Sequence, residues 1–183
     1  MKKWIVGVKR MNKKFVPYYE ELVRIIKEIP DIKIYLDEDI CHMMIMNHSP
    51  LEEVDLKYLC ENRLWSQNYI LTFQNKKRTT LYYEKRKLIF NGKVWINKVD
   101  KFDIYAKKLN DNKLLEKQME QFVGFGGNIE VDLGKQEIEI SGSMFPGMIV
   151  SLILPPITKF IVPKKKEITH LLQVMQLILN EFV

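Results

Sequence analysis

The spacing of apolar residues switches between two periods along this chain, and each switch marks an element. Trp4 to Val8 is a short apolar run of strand length. From Pro17 onward Tyr19, Leu22, Val23, Ile25, Ile26 and Ile29 recur at helical spacing, which predicts an amphipathic helix opened by Pro17 and stopped by Pro30. Ile32, Ile34 and Leu36 then alternate with more polar neighbours, Asp37-Glu38-Asp39 supplies a charged turn, and Ile40 to Met46 completes a predicted hairpin. A second helix is predicted from Ser49 to about Leu64. There Ser49 is placed to cap, Pro50 suits the first helical position, Glu52 completes a capping box, and Leu51, Val54, Tyr58 and Leu59 supply the stripe.

Beyond the exit at Trp65–Asn68 the period becomes that of strands: Tyr69–Gln74, Thr79–Glu84, Leu88–Phe90, Lys93–Ile96 and Phe102–Tyr105. Asn91-Gly92 is the strongest turn signal, because tight hairpin turns need positive φ and these two residues tolerate it. A helix is expected from about Asp111 to Phe122, with Leu114, Leu115, Met119 and Phe122 on one face, ended by Gly124, Gly126 and Gly127. Asn128–Leu133 and Gln136–Ser141 read as a further hairpin around Gly134-Lys135.

The run from Met144 to Val162 is nearly long enough to span a bilayer, but Pro146, Gly147, Pro155 and Pro156 break it into strand-sized pieces. It reads as buried strand, and no transmembrane segment is expected. From Lys164 to the C-terminus, Ile168, Leu171, Leu172, Val174, Met175, Ile178, Leu179 and Phe182 form the broad apolar face of a last helix, with His170 placed on the polar side. The fold class predicted is α+β: a small α/β-alternating N-terminal unit, residues 1–66, and a mainly antiparallel sheet packed by a C-terminal amphipathic helix, residues 67–183, either as two units or as one continuous domain.

Composition bounds the function without naming it. The chain has 183 residues, 46% of them hydrophobic and 28% charged, which suits a folded core and excludes collagen-like and largely disordered classes. Cys41 and Cys60 stand alone without CxxC spacing, and the opening apolar run is broken by Lys9 and Arg10, so free thiols, no signal peptide and a cytoplasmic location are expected.

The net charge of +6 and a pI near 9.1 favour anionic partners. That charge is concentrated. Lys76, Lys77, Arg78, Lys85, Arg86, Lys87 and Lys93 face Glu84 alone, a local balance equal to that of the whole chain, with Tyr82, Tyr83 and Phe90 interleaved. Lysine and arginine neutralise phosphates and aromatic rings stack bases, so Lys76, Lys77, Arg78, Tyr83, Lys85, Arg86, Lys87 and Lys93 form the candidate nucleic-acid or anion surface. The competing reading is a solvated strand face with its rings in the core. Between Glu28 and Glu61 carboxylates outnumber lysines nine to two, which polarises the N-terminal region.

Other chemistry has weaker support. Asp37, Glu38, Asp39, Cys41, His42 and His48 concentrate metal-ligand types, yet adjacent Cys41 and His42 on one strand point to opposite faces, so no metal is expected. Ser141, Ser143 and Ser151 lack a nucleophile-elbow context, and Gly124–Gly127 follows a helix where a phosphate cradle would precede one. No cofactor is expected. Met144–Val162 beside Lys164, Lys165 and Lys166 could touch an acidic membrane surface, although core strand is the simpler account. The reading reached is a non-catalytic binding or adaptor protein acting through a charged surface, with a protein partner or an anionic surface in view. The alternatives are nucleic-acid binding through residues 76–93 and a small enzyme with a dispersed site.

Overall fold

The structure is a computed structural model describing residues 16–29, 33–37, 42–48, 51–62, 66–150, 157–159 and 162–182. The strand expected at Trp4–Val8 lies outside these residues. Over the described chain, helix α1 (Val16–Lys27) is followed by strands β1 (Lys33–Asp37), β2 (His42–His48), β3 (Glu52–Asn62), β4 (Ser66–Phe90) and β5 (Trp95–Asn97). Helices α2 (Ile104–Asp111) and α3 (Lys113–Gly124), strands β6 (Asn128–Val150) and β7 (Ile157–Lys159) and helix α4 (Lys165–Asn180) complete it. The strands form one antiparallel sheet of order β1-β2-β3-β4-β6-β7, with β5 paired to β4. The class is therefore α+β, with the C-terminal helix packed on the sheet.

The helix predicted from Ser49 to Leu64 is instead strand β3 from Glu52 onward, a correction with a clear cause. Val54 and Leu56 are buried in alternation with exposed or half-buried neighbours, and the segment is paired along its length, Glu52–Lys57 with β2 and Asp55–Asn62 with β4. Those ladders outweigh a local propensity for helix, which is a weak prior wherever tertiary partners exist. Asn75 fixes the entry to β3, its Nδ2 donating to the carbonyls of Leu51 and Glu53 at 2.6 Å each, next to Glu52 at φ 60°.

The meander is also built differently from its prediction. Tyr69–Gln74, Thr79–Glu84 and Leu88–Phe90 are parts of the single strand β4, and the hairpin expected around Gly134-Lys135 is a continuous β6. The two run together from Ser66↔Val150 to Ile89↔Glu130. From Arg78 to Arg86 β4 advances eight residues while β6, from Glu137 to Leu133, advances four. Such bulges bend a ribbon sharply, and the strand with the surplus takes the longer outer path. Polar Lys76–Arg78 and Lys85–Lys87 thus mark a bend, where the sequence suggested turns.

The bend brings the start of β6 onto its own middle. Asn128 Oδ1 accepts from both the amide and the hydroxyl of Ser143 at 3.0 Å, and a Cβ on Gly142 would lie 2.1 Å from the Asn128 carbonyl oxygen. Only glycine fits that crossing. Inside the curl, Leu71, Phe73 and Leu88 of β4 and Ile129, Val131, Ile138 and Ile140 of β6 pack against Leu171, Leu172, Met175, Ile178 and Leu179 of α4. His170, expected on the polar face, is buried, with Nε2 2.9 Å from the Gln118 carbonyl and its ring edge-on to Phe125.

Phe102–Tyr105, read as a strand, is a second correction. Asp103 accepts from the amides of Tyr105 and Ala106 at 2.8 and 3.0 Å and so caps α2, which leaves Phe102 outside. The hairpin at Asn91-Gly92 is present, with Phe90↔Trp95 as its last pair and Gly92 at φ 94°. Among the described residues no helix is long and apolar enough to cross a membrane.

Candidate functional site

The basic stretch singled out by charge lies along the bend of the β4/β6 ribbon, and most of its cations face carboxylates. Lys76 Nζ is 2.9 Å from Glu139, Lys77 pairs with Glu52, and Lys87 Nζ is 2.6 Å from Glu130. Arg86 reaches Asp103 at 2.9 Å and Glu84 at 2.8 Å. Burial pushes the Glu139 carboxyl up, but hydrogen bonds from Lys76 and Gln74 hold it below the ordinary glutamate range. Lys76 and Lys87 are raised in turn, chiefly by hydrogen bonds to Glu139 and Glu130. Tyr83 belongs to the core at 5% exposure, its hydroxyl donating to the Phe182 carbonyl and its phenol pushed up by burial and by Tyr105. Arg78, Lys85 and Lys93 are exposed and make no ion pair among the described residues, and Tyr82, at 64% exposure, is the ring that faces water.

A different surface is built where β4 turns into β5 and β5 into α2. Four side chains of one type hold this backbone: Asn91 Oδ1 accepts from the amides of Lys93 and Val94, and Asn97 Oδ1 accepts from Val99 at 2.9 Å. Asp100 Oδ1 accepts from Phe102 at 2.9 Å, and Asp103 Oδ1 accepts from Tyr105. Short Asx side chains bond the backbone two residues on, so each tightens a turn and throws the intervening residues outward. What they throw outward is Lys93-Val94, Lys98-Val99, Lys101-Phe102 and Ile104. Val99 is 96% exposed, Phe102 92% and Ile104 65%.

One buried carboxylate anchors the arrangement. The Asp103 side chain is fully enclosed and takes hydrogen bonds at Oδ2 from Arg86 at 2.9 Å and Asn97 Nδ2 at 2.7 Å, besides the two amides at Oδ1. Burial pushes this carboxyl up; the bonds from Asn97, Ala106, Arg86 and Tyr105 overcome that and hold it below the usual aspartate range. The loop is thus tied to the ribbon as a fixed shape. Beside it runs a groove of about 1010 Å³ whose lining includes Trp95, Ile96, Phe102, Ile104, Lys101 and Lys107. Lys93, Lys98, Lys101 and Lys107 are exposed and form no ion pair among the described residues.

The remaining sequence candidates gather no reactive constellation among the described residues. A depression of about 800 Å³ lined from β3, β4 and β6 contains Thr72, Gln74 and Ser143, but their polar groups are engaged with Lys57, Glu139 and Asn128. Glu38, Asp39 and Cys41 lie outside the described residues, and among those described no group of three or more His, Cys, Asp or Glu is placed to hold a metal. In the 144–162 run, Met144 is buried and Met148–Val150 pair with Ile157–Lys159 as strands; residues 151–156 and 160–161 lie outside the described set. Lys164, Lys165 and Lys166 are exposed at the start of α4, where Lys165 donates to the Glu28 carbonyl.

The 97–105 loop escaped the charge count because its lysines are spread out. Its signal is a triplet, Asn97-Lys98-Val99, Asp100-Lys101-Phe102, Asp103-Ile104-Tyr105, in which an Asx residue recurs every third position before an apolar one. Compared with known proteins, the chain matches no family model, no curated sequence and no solved structure.

Proposed function

We propose that this chain is a non-catalytic binding protein acting through a charged surface, and that the surface is the lysine and apolar loop from Asn91 to Lys107. One observation carries the reading: Val99 and Phe102 stand almost wholly in water on a backbone that is hydrogen-bonded into place. A mobile loop can hide such side chains part of the time, whereas a pre-ordered one keeps them available for a partner at little further entropic cost. Four unpaired lysines around them make that partner anionic.

Nucleic-acid binding through residues 76–93 is the second reading. It retains Arg78, Lys85, Lys93 and Tyr82, while Lys76, Lys77, Arg86 and Lys87 are engaged with carboxylates. Retention on a column bearing a sulfated polyanion separates the two. Lys98→Glu with Lys101→Glu should elute at clearly lower salt than the unaltered protein, and Arg78→Glu with Lys85→Glu should move elution less. If the ribbon pair causes the larger shift, the loop is not the site and the nucleic-acid reading takes its place.

A further inference from the structure

Resting on that reading, we propose that the partner of the loop is the surface of an anionic lipid bilayer, into whose interface Val99 and Phe102 insert. The form of the surface separates a bilayer from other anionic partners. Its apolar groups project from turns, with nearly complete exposure of Val99 and Phe102, and a fluid interface receives projecting side chains without a preformed complementary pocket. The charged residues point the same way: from Asn91 to Lys107 there are four lysines and no arginine. Protein interfaces are depleted in lysine and enriched in arginine, whereas lysine beside an apolar residue suits a lipid headgroup layer, its stem in the apolar zone and its ammonium among phosphates. Nucleic acid would draw on stacking rings, and of the loop's projecting apolar groups Val94, Val99 and Ile104 are aliphatic.

The triplet pattern makes the two contributions act together. Lys98 precedes Val99 and Lys101 precedes Phe102, so each inserting side chain has a cation beside it. Lys101, Lys107, Phe102 and Ile104 line the same groove, which places the helix α2 lysine on the side where the ring projects. Asp100 is the exposed carboxylate within the loop, and it lies 3.8 Å from Arg86, turned toward the ribbon. Lipid anchoring of this kind needs two signals, because neither a few apolar side chains nor a few lysines alone hold a protein on a membrane for long.

The test uses vesicles of phosphatidylcholine alone and of phosphatidylcholine with phosphatidylglycerol, at low and physiological salt. The protein should sediment with the anionic vesicles and not with the zwitterionic ones. Lys98→Glu with Lys101→Glu should weaken that binding about tenfold or more, and Val99→Ser with Phe102→Ser, at positions too exposed to disturb folding, should weaken it about tenfold or more. Phe102→Trp supplies a direct probe: its added emission should shift to the blue on anionic vesicles and be quenched by brominated acyl chains. Equal binding to both vesicle types would overturn the charge requirement. Anionic binding untouched by the serine pair, with no blue shift, would overturn insertion. If vesicles do not bind while polyanion retention still depends on Lys98 and Lys101, the lipid proposal fails, the loop stands as the binding surface and its partner is an acidic protein. Loss of loop dependence in both experiments overturns the binding reading itself.

Discussion

Two lysine-rich stretches lie close together in this chain and meet opposite fates. Along the ribbon bend, Lys76 and Lys87 lie near Glu139 and Glu130 of β6, which runs beside β4, and Lys77 near Glu52 at the start of β3. From Asn91 to Lys107 the lysines form no ion pair among the described residues, and the enclosed acid there, Asp103, is used to hold the turns together. The denser stretch is therefore mostly neutralised and the sparser one is the free cationic surface. Charge in a sequence gains meaning only when the segment opposite is known, since a cross-strand pair cancels what a linear count adds up.

The sharpest way to break this comparison is at the crossing that closes the ribbon. Gly142→Ala would press a methyl group onto the Asn128 carbonyl oxygen at 2.1 Å and the Ile129 Cα at 3.0 Å, both backbone atoms that cannot swing away. Denaturant unfolding should show a loss of about 3 kcal/mol or more, and an unchanged midpoint would mean that β6 does not cross itself there.

Next in size is the tie between ribbon and loop. Asp103→Ala should cost about 1–2 kcal/mol for the lost helix cap, and should make the 97–103 segment a new site of proteolytic cleavage. The same carboxylate has a pH signature. Its folded pKa lies below the ordinary 3.8, so its contribution is complete above that value and is lost as pH falls through the lower folded value. Unfolding midpoints measured from pH 6 downward should accordingly converge, the unaltered protein losing its advantage over Asp103→Asn only in that acid range. A constant difference would remove the carboxylate charge from the account.

The smallest effect tests which ring of the tyrosine pair is structural. Tyr83→Phe removes the bond to the Phe182 carbonyl and should cost about 1 kcal/mol, while Tyr82→Phe should stay within about 0.5 kcal/mol. The opposite order would shift β4 by one residue, turning its faces over and exchanging free cations for paired ones.

Helices α1, α3 and α4 and the hairpins β1/β2 and β4/β5 were legible because each rests on a local pattern: an apolar stripe of period 3.6 between breakers, or alternation around Asn91-Gly92. The α+β class follows from those patterns alone. Strand β3 was not legible, since Leu51, Val54, Tyr58 and Leu59 satisfy a helical stripe as well as Val54, Leu56 and Tyr58 satisfy a strand, and the neighbours β2 and β4 decided between them. The continuous ribbon was hidden for a related reason, because bulges at Arg78–Arg86 carry the polar residues that elsewhere signal turns. The sequence by itself determined where apolar surface must be buried and which turns Asx residues can tighten, both being properties of near neighbours. Only the tertiary structure decided which lysines meet a carboxylate and which apolar side chains are left in water, because both depend on residues far apart in the chain, such as Lys76 and Glu139, being brought face to face.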